Sequence, residues 1–61
     1  MANITSKELT AIDEQLNYEQ TLIKKFNAYA NETKDTALRT KYQQMAARHQ
    51  AHFNSLLTFL Q

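Results

Sequence analysis

Glu19, His49 and His52 are the residues of this chain best placed to do chemistry. All three fall on stripes otherwise made of Leu, Ile, Phe, Met, Tyr and Ala. In the first half, Leu9, Ile12, Leu16, Ile23, Phe26 and Ala30 recur at the three-and-four spacing of a helix, with Glu19 among them. In the second half, Leu38, Tyr42, Met45, Ala46, Phe53, Leu56 and Leu60 surround the two histidines. A carboxylate or imidazole in an apolar seam is unfavourable unless it is paired, hydrogen-bonded or bound to metal. Histidines three apart are neighbours on a helix, and two imidazoles with one carboxylate form a known zinc ligand set whose fourth position is open. The competing reading is a metal-free polar cluster in which imidazole N–H groups donate to the carboxylate and fix the register.

Positioning these groups takes two helices and one turn. Thr5 is a candidate N-cap, Glu8 three residues on completes a capping box, and Ile4 with Leu9 can form the flanking hydrophobic staple. Lys7, Thr10, Glu14, Thr21, Lys25 and Glu32 make a solvated face. The apolar pattern lapses at Asn31–Lys34, where Asn31 is the residue best able to adopt a left-handed helix terminus in a chain without Gly. Asp35 is the N-cap of a second helix, whose outer face reads Arg39, Thr40, Gln43, Ala47, Gln50, Asn54 and Thr58. The expectation is one all-α domain over residues 1–61, with helices over about 5–31 and 36–60 forming an αα-hairpin. A loop centred near residues 33 and 34 pairs positions whose numbers sum to about 67. Glu19 then faces His49, with His52 one turn away.

Composition agrees. Gly and Pro are both absent, removing the usual punctuation of hairpins and sharp turns. No cysteine is present, so neither a disulfide nor a thiolate metal site exists. The net charge of +1 is dispersed, without a basic stripe for nucleic acid. Apolar runs are too short to span a membrane, and the Met1–Thr5 segment lacks the features of a secretory signal, which suggests cytoplasmic synthesis. Two helices cannot enclose a core alone, and Leu22, Tyr29, Phe53 and Leu57 widen the apolar faces. With no disulfide available, a chain of 61 residues is expected to close its core as a two-fold homodimer, an antiparallel four-helix bundle.

Other residues read as ordinary structure. Tyr29 and Tyr42 lie at the stripes as packing residues, and Tyr18 lies on the outer side. Lys24-Lys25 and the six glutamines are solvated helix surface. No phosphate loop, nucleophile elbow or Ser/His/Asp set is present.

The run Lys7-Glu8-Leu9, Glu19, Leu22-Ile23-Lys24-Lys25-Phe26, Tyr29-Ala30, Asp35, Leu38 and His49-Gln50-Ala51-His52-Phe53 resembles the spore coat F family, small ferritin-like proteins of spore-forming bacteria. The resemblance implies a ferritin-like bundle, sporulation, a place in the spore coat and other coat proteins as partners. Ferritin-like carboxylate proteins bind two metals through a Glu from one helix and a Glu-x-x-His from the next. Glu19 matches the first Glu and His52 the motif's His, but His49 stands where the motif has Glu. The nitrogen-rich set suits zinc, copper or nickel better than iron or manganese, and discounts oxidase chemistry. The leading expectation is a self-associating structural protein with a metal at its centre, rather than an enzyme. The alternatives are a metalloenzyme or metal-handling protein using Glu19, His49 and His52, and an interaction module whose exposed faces bind another protein.

Overall fold

A computed structural model describes residues 3–61. The reading of the N-terminal segment includes Met1 and Ala2, which lie outside the described residues. Helix α1 spans Ser6–Glu32 and helix α2 spans Thr36–Leu57, followed by a 3₁₀ turn, Thr58–Leu60. Both helices begin as their local chemistry dictates. The Thr5 hydroxyl accepts from the Glu8 N–H at 3.1 Å while the Glu8 carboxylate accepts from the Thr5 N–H at 2.9 Å. Those bonds hold the Glu8 carboxyl below its ordinary value, the backbone bond contributing most. At α2 the Asp35 carboxylate accepts from the Leu38 N–H at 2.9 Å.

The turn between the helices departs from expectation at Asn31. That residue stays helical, and no non-Gly residue among those described has a positive φ. Helix α1 instead ends on Thr33 in extended geometry, its N–H still bonded to the Tyr29 carbonyl at 3.0 Å. The Thr33 hydroxyl then accepts from the Asp35 N–H at 3.2 Å, bending the chain directly into the next cap. Arg39 instead serves the Ala30 carbonyl, one that such a residue would satisfy, together with that of the cap residue itself. Its Nε donates to the Ala30 carbonyl at 3.1 Å and its Nη2 to the Thr33 carbonyl at 2.8 Å. The guanidinium thereby places a positive charge at the negative end of α1, which has no basic residue in its own last turn.

At the other end of α2 the expected helix tightens after Leu57. The Thr58 hydroxyl donates to the Ser55 carbonyl at 2.6 Å, and the last turn closes with 3₁₀ spacing.

Contacts along the hairpin join Ala30 with Arg39 and Glu19 with His49, and Ile12 lies with Leu56 on one groove; their numbers sum to 68 or 69. A near-constant sum is the signature of antiparallel helices in register. Apolar burial between them is thin. Leu16, Ala30 and Ala46 are buried, no large side chain among the described residues is fully enclosed, and Leu9, Leu38, Met45 and Phe59 remain well exposed. The outer faces are solvated, and among the described residues no helix is long and apolar enough to cross a membrane.

Arg39→Ala removes two charge-assisted bonds from the end of α1 and is expected to destabilise the fold by about 1–2 kcal/mol. Arg39→Lys should recover only part of that, since an ammonium cannot reproduce the guanidinium fork. Urea denaturation at one fixed protein concentration measures both.

Candidate metal centre

The site is built from one side chain of α1 and two of α2. Glu19 is 5% exposed, the only buried charged residue among those described. Its position follows from the period: Leu16 and Ile23 lie three and four residues away on the same face, so the carboxylate turns towards α2 with them. The antiparallel register then delivers His49 directly across. The His49 Nδ1 lies 2.6 Å from Glu19 Oε1, and His52 Nδ1 lies 3.7 Å from the same oxygen. The second distance is too long for a hydrogen bond. Glu19, His49 and His52 each offer one ligand atom, and the three atoms lie within 4.8 Å of one another.

Gln15, one turn before Glu19, is a member of the site that the apolar pattern did not single out. Its Nε2 donates to Glu19 Oε2 at 2.9 Å, so each carboxylate oxygen has its own partner. The signal that finds it is the i, i+4 spacing of an amide and a carboxylate on one helix.

Aromatic rings fix His49 from the loop side. Phe26 stacks on its imidazole with centroids 5.9 Å apart and planes 8° from parallel. Behind Phe26 stand Tyr42, stacked at 6.2 Å, and Tyr29, edge-on at 6.2 Å. These tyrosines are packing groups, and Lys25 lies 5.8–5.9 Å from the Phe26 and Tyr29 centroids. His52 meets His49 edge-on, centroids 5.4 Å apart, and its side chain is 53% exposed. One imidazole is therefore locked while the other opens to the surface.

The electrostatics define the proton's place. Burial pushes the Glu19 carboxyl up, the largest single influence on it. Hydrogen bonds from His49 and Gln15, with the electrostatic influence of His49 and His52, outweigh that and hold it below the ordinary 4.5. An ionised carboxylate only accepts, so His49 carries its proton on Nδ1 and donates it to Oε1. Glu19, His49 and His52 would hold a metal ion in place of that proton. Ligands of a four-coordinate zinc ion stand about 3.3 Å apart, by simple tetrahedral geometry from the usual bond lengths. The two histidine nitrogens lie 2.6 and 3.7 Å from the carboxylate oxygen, on either side of that spacing, and all three ligand atoms lie within 4.8 Å of one another. The donors, two nitrogens and one oxygen, fit zinc, copper or nickel, and the partly exposed side leaves room for a further ligand.

Glu19 ties stability to pH with a defined sign. A carboxyl whose value is lowered by folding contributes stability that is fully present above its unfolded value, near 4.5. That contribution disappears as pH falls through the lowered folded value. Wild type should therefore lose stability from about pH 4.5 downwards more steeply than Glu19→Gln, the capping contribution of Glu8 being common to both. Thermal melts of the two metal-free proteins between neutral and acid pH make the comparison; parallel acid limbs would refute it.

No family model matches this chain, and neither does a curated protein or a solved structure.

Proposed function

We propose that this chain is a small self-associating structural protein that holds a divalent transition metal, zinc fitting best, between its two helices. One observation carries the metal reading: the only buried charged side chain among those described, Glu19, meets both histidines of α2 at a single point. Glu19, His49 and His52 supply the ligands, and Gln15 orients the carboxylate from behind through its bond to Oε2. The ion supplies positive charge that replaces the His49 proton and ties α1 to α2, so binding releases protons and stabilises the fold.

Self-association rests on surface area. A compact monomer of 7.1 kDa exposes about 4,100 Å² by the usual scaling, whereas this hairpin exposes 4777 Å². Two hairpins stacked into an antiparallel four-helix bundle would cover the difference, which neither helix can do for the other. By its resemblance to the spore coat F family, the chain would be a building block in a protein layer beside other coat proteins. A metal-handling role is the second reading. It is favoured by the 53% exposure of the His52 side chain, which leaves one ligand free to exchange its ion with solvent.

Freshly purified protein is expected to contain one transition metal per chain and to elute as a dimer. Glu19→Ala or His52→Ala should lose most of the metal. Elemental analysis combined with light scattering after gel filtration reads both quantities. A monomer lacking metal, with no uptake on zinc titration, would end the proposal.

A further inference from the structure

Leu38, Met45, His52 and Phe59 recur every seven residues along α2 and its closing turn. All four are exposed, and the stripe contains no Lys, Arg, Asp or Glu. At its free end it runs into an open groove of about 480 Å³ between the helices, which Ile4, Ala11, Ile12, Leu56 and Phe59 help to line. One polar residue interrupts the four-residue stripe on α2, and it is the outermost member of the Glu19–His49–His52 cluster.

We propose that metal binding controls pairing: occupation of the Glu19–His49–His52 site and docking of a second copy on the Leu38–Met45–His52–Phe59 face form one coupled equilibrium. The inference rests on the metal reading above and assigns it a regulatory consequence.

The second copy is the occupant that the dimensions fit. The hairpin measures 46 × 15 × 11 Å, so its broad face offers about 700 Å² per copy, close to the 800 Å² per partner of a standard stable interface. A net charge of +1 per chain adds little repulsion on pairing. A two-fold axis crossing this face midway between Met45 and His52 sets Leu38 of each copy against Phe59 of the other and Met45 against His52, because the numbers in both pairs sum to 97. The stripe then closes on itself without a gap in its middle.

His52 makes that closure conditional. Its Nδ1 lies 3.7 Å from Glu19, beyond hydrogen-bonding reach, and in the isolated hairpin its side chain is 53% exposed and open to water. Pairing strips that water and leaves an imidazole nitrogen without a partner in an apolar interface, which opposes docking. An ion bound through Nδ1 supplies the missing partner and draws the ring towards Glu19. In return, the second copy excludes solvent from the ion's open side and strengthens its attraction to the carboxylate. Because the coupling is thermodynamic, each event strengthens the other by the same factor.

Sedimentation equilibrium of the full chain in zinc and in EDTA, with calorimetric zinc titration, tests this. Zinc is expected to tighten the wild-type pair by about tenfold or more, within the usual range of allosteric coupling. His52→Leu, which replaces the imidazole with an apolar side chain, should pair in EDTA as tightly as wild type does in zinc. Met45→Ser/Phe59→Ser, altered only in residues outside the ligand set, should bind zinc more weakly than wild type by the factor through which zinc tightens wild-type pairing. Circular dichroism confirms that each variant is helical. Pairing equally tight in zinc and EDTA, in a protein that still binds the ion, would overturn the coupling and leave the metal-binding, self-associating reading standing. Absence of zinc binding in the wild type would overturn both.

Discussion

A carboxylate held almost out of water between two helices is the constraint on which the rest of this small fold depends. Glu19 has too little solvent contact to be hydrated, so its oxygens must be served by protein groups. Gln15 serves one from its own helix and His49 the other from across the hairpin. The second bond joins residues 30 positions apart and selects one register of α2 against α1. Sliding the helices by a turn would leave a buried charge without its partner, a far larger penalty than loss of a few methyl contacts. Polar specificity therefore sets the alignment that thin apolar packing could not set alone. The stacked rings of Phe26, Tyr42 and His49 then continue that alignment towards the turn.

Size imposes the complementary constraint. Among the described residues only Leu16, Ala30 and Ala46 are buried apolar residues, so hydrophobic burial within one chain is small. Local devices secure the ends, with a capping box at Thr5, an Asp35 cap and the Arg39 bridge across the turn. They define where the helices begin and stop but add little enclosed surface. The exposed Leu38, Met45 and Phe59 make chemical sense as contacts with a second molecule, and His52 among them links that contact to the polar centre. The same imidazole that can complete a ligand set thus sits on the surface that can complete the core.

Much of this was legible in the residues. The three-and-four spacing fixes which side of each helix turns inward, and absent Gly and Pro leave helix as the economical choice. The capping residues fix the turn's place, and the register brings Glu19 to His49 with His52 beside it. What escaped has physical causes. Asn31 was expected in a left-handed cap because the pattern contains no information about a side chain arriving from the next helix. Arg39 reads as solvated surface by its position, yet a long side chain serves atoms well away from its own Cα. Gln15 escaped because a neutral amide beside an apolar stripe looks like flank until the carboxylate it supports is known to be buried.

Cobalt substitution addresses the central claim most directly, because the visible absorption of that ion reports its coordination. Titrated into metal-free protein, cobalt should develop the intense d–d bands of a four-coordinate nitrogen and oxygen site, saturating at one ion per chain. The bands should be absent in Glu19→Gln. A faint spectrum like that of the hydrated ion, or one unchanged by loss of the Glu19 charge, would contradict a metal centre at Glu19, His49 and His52.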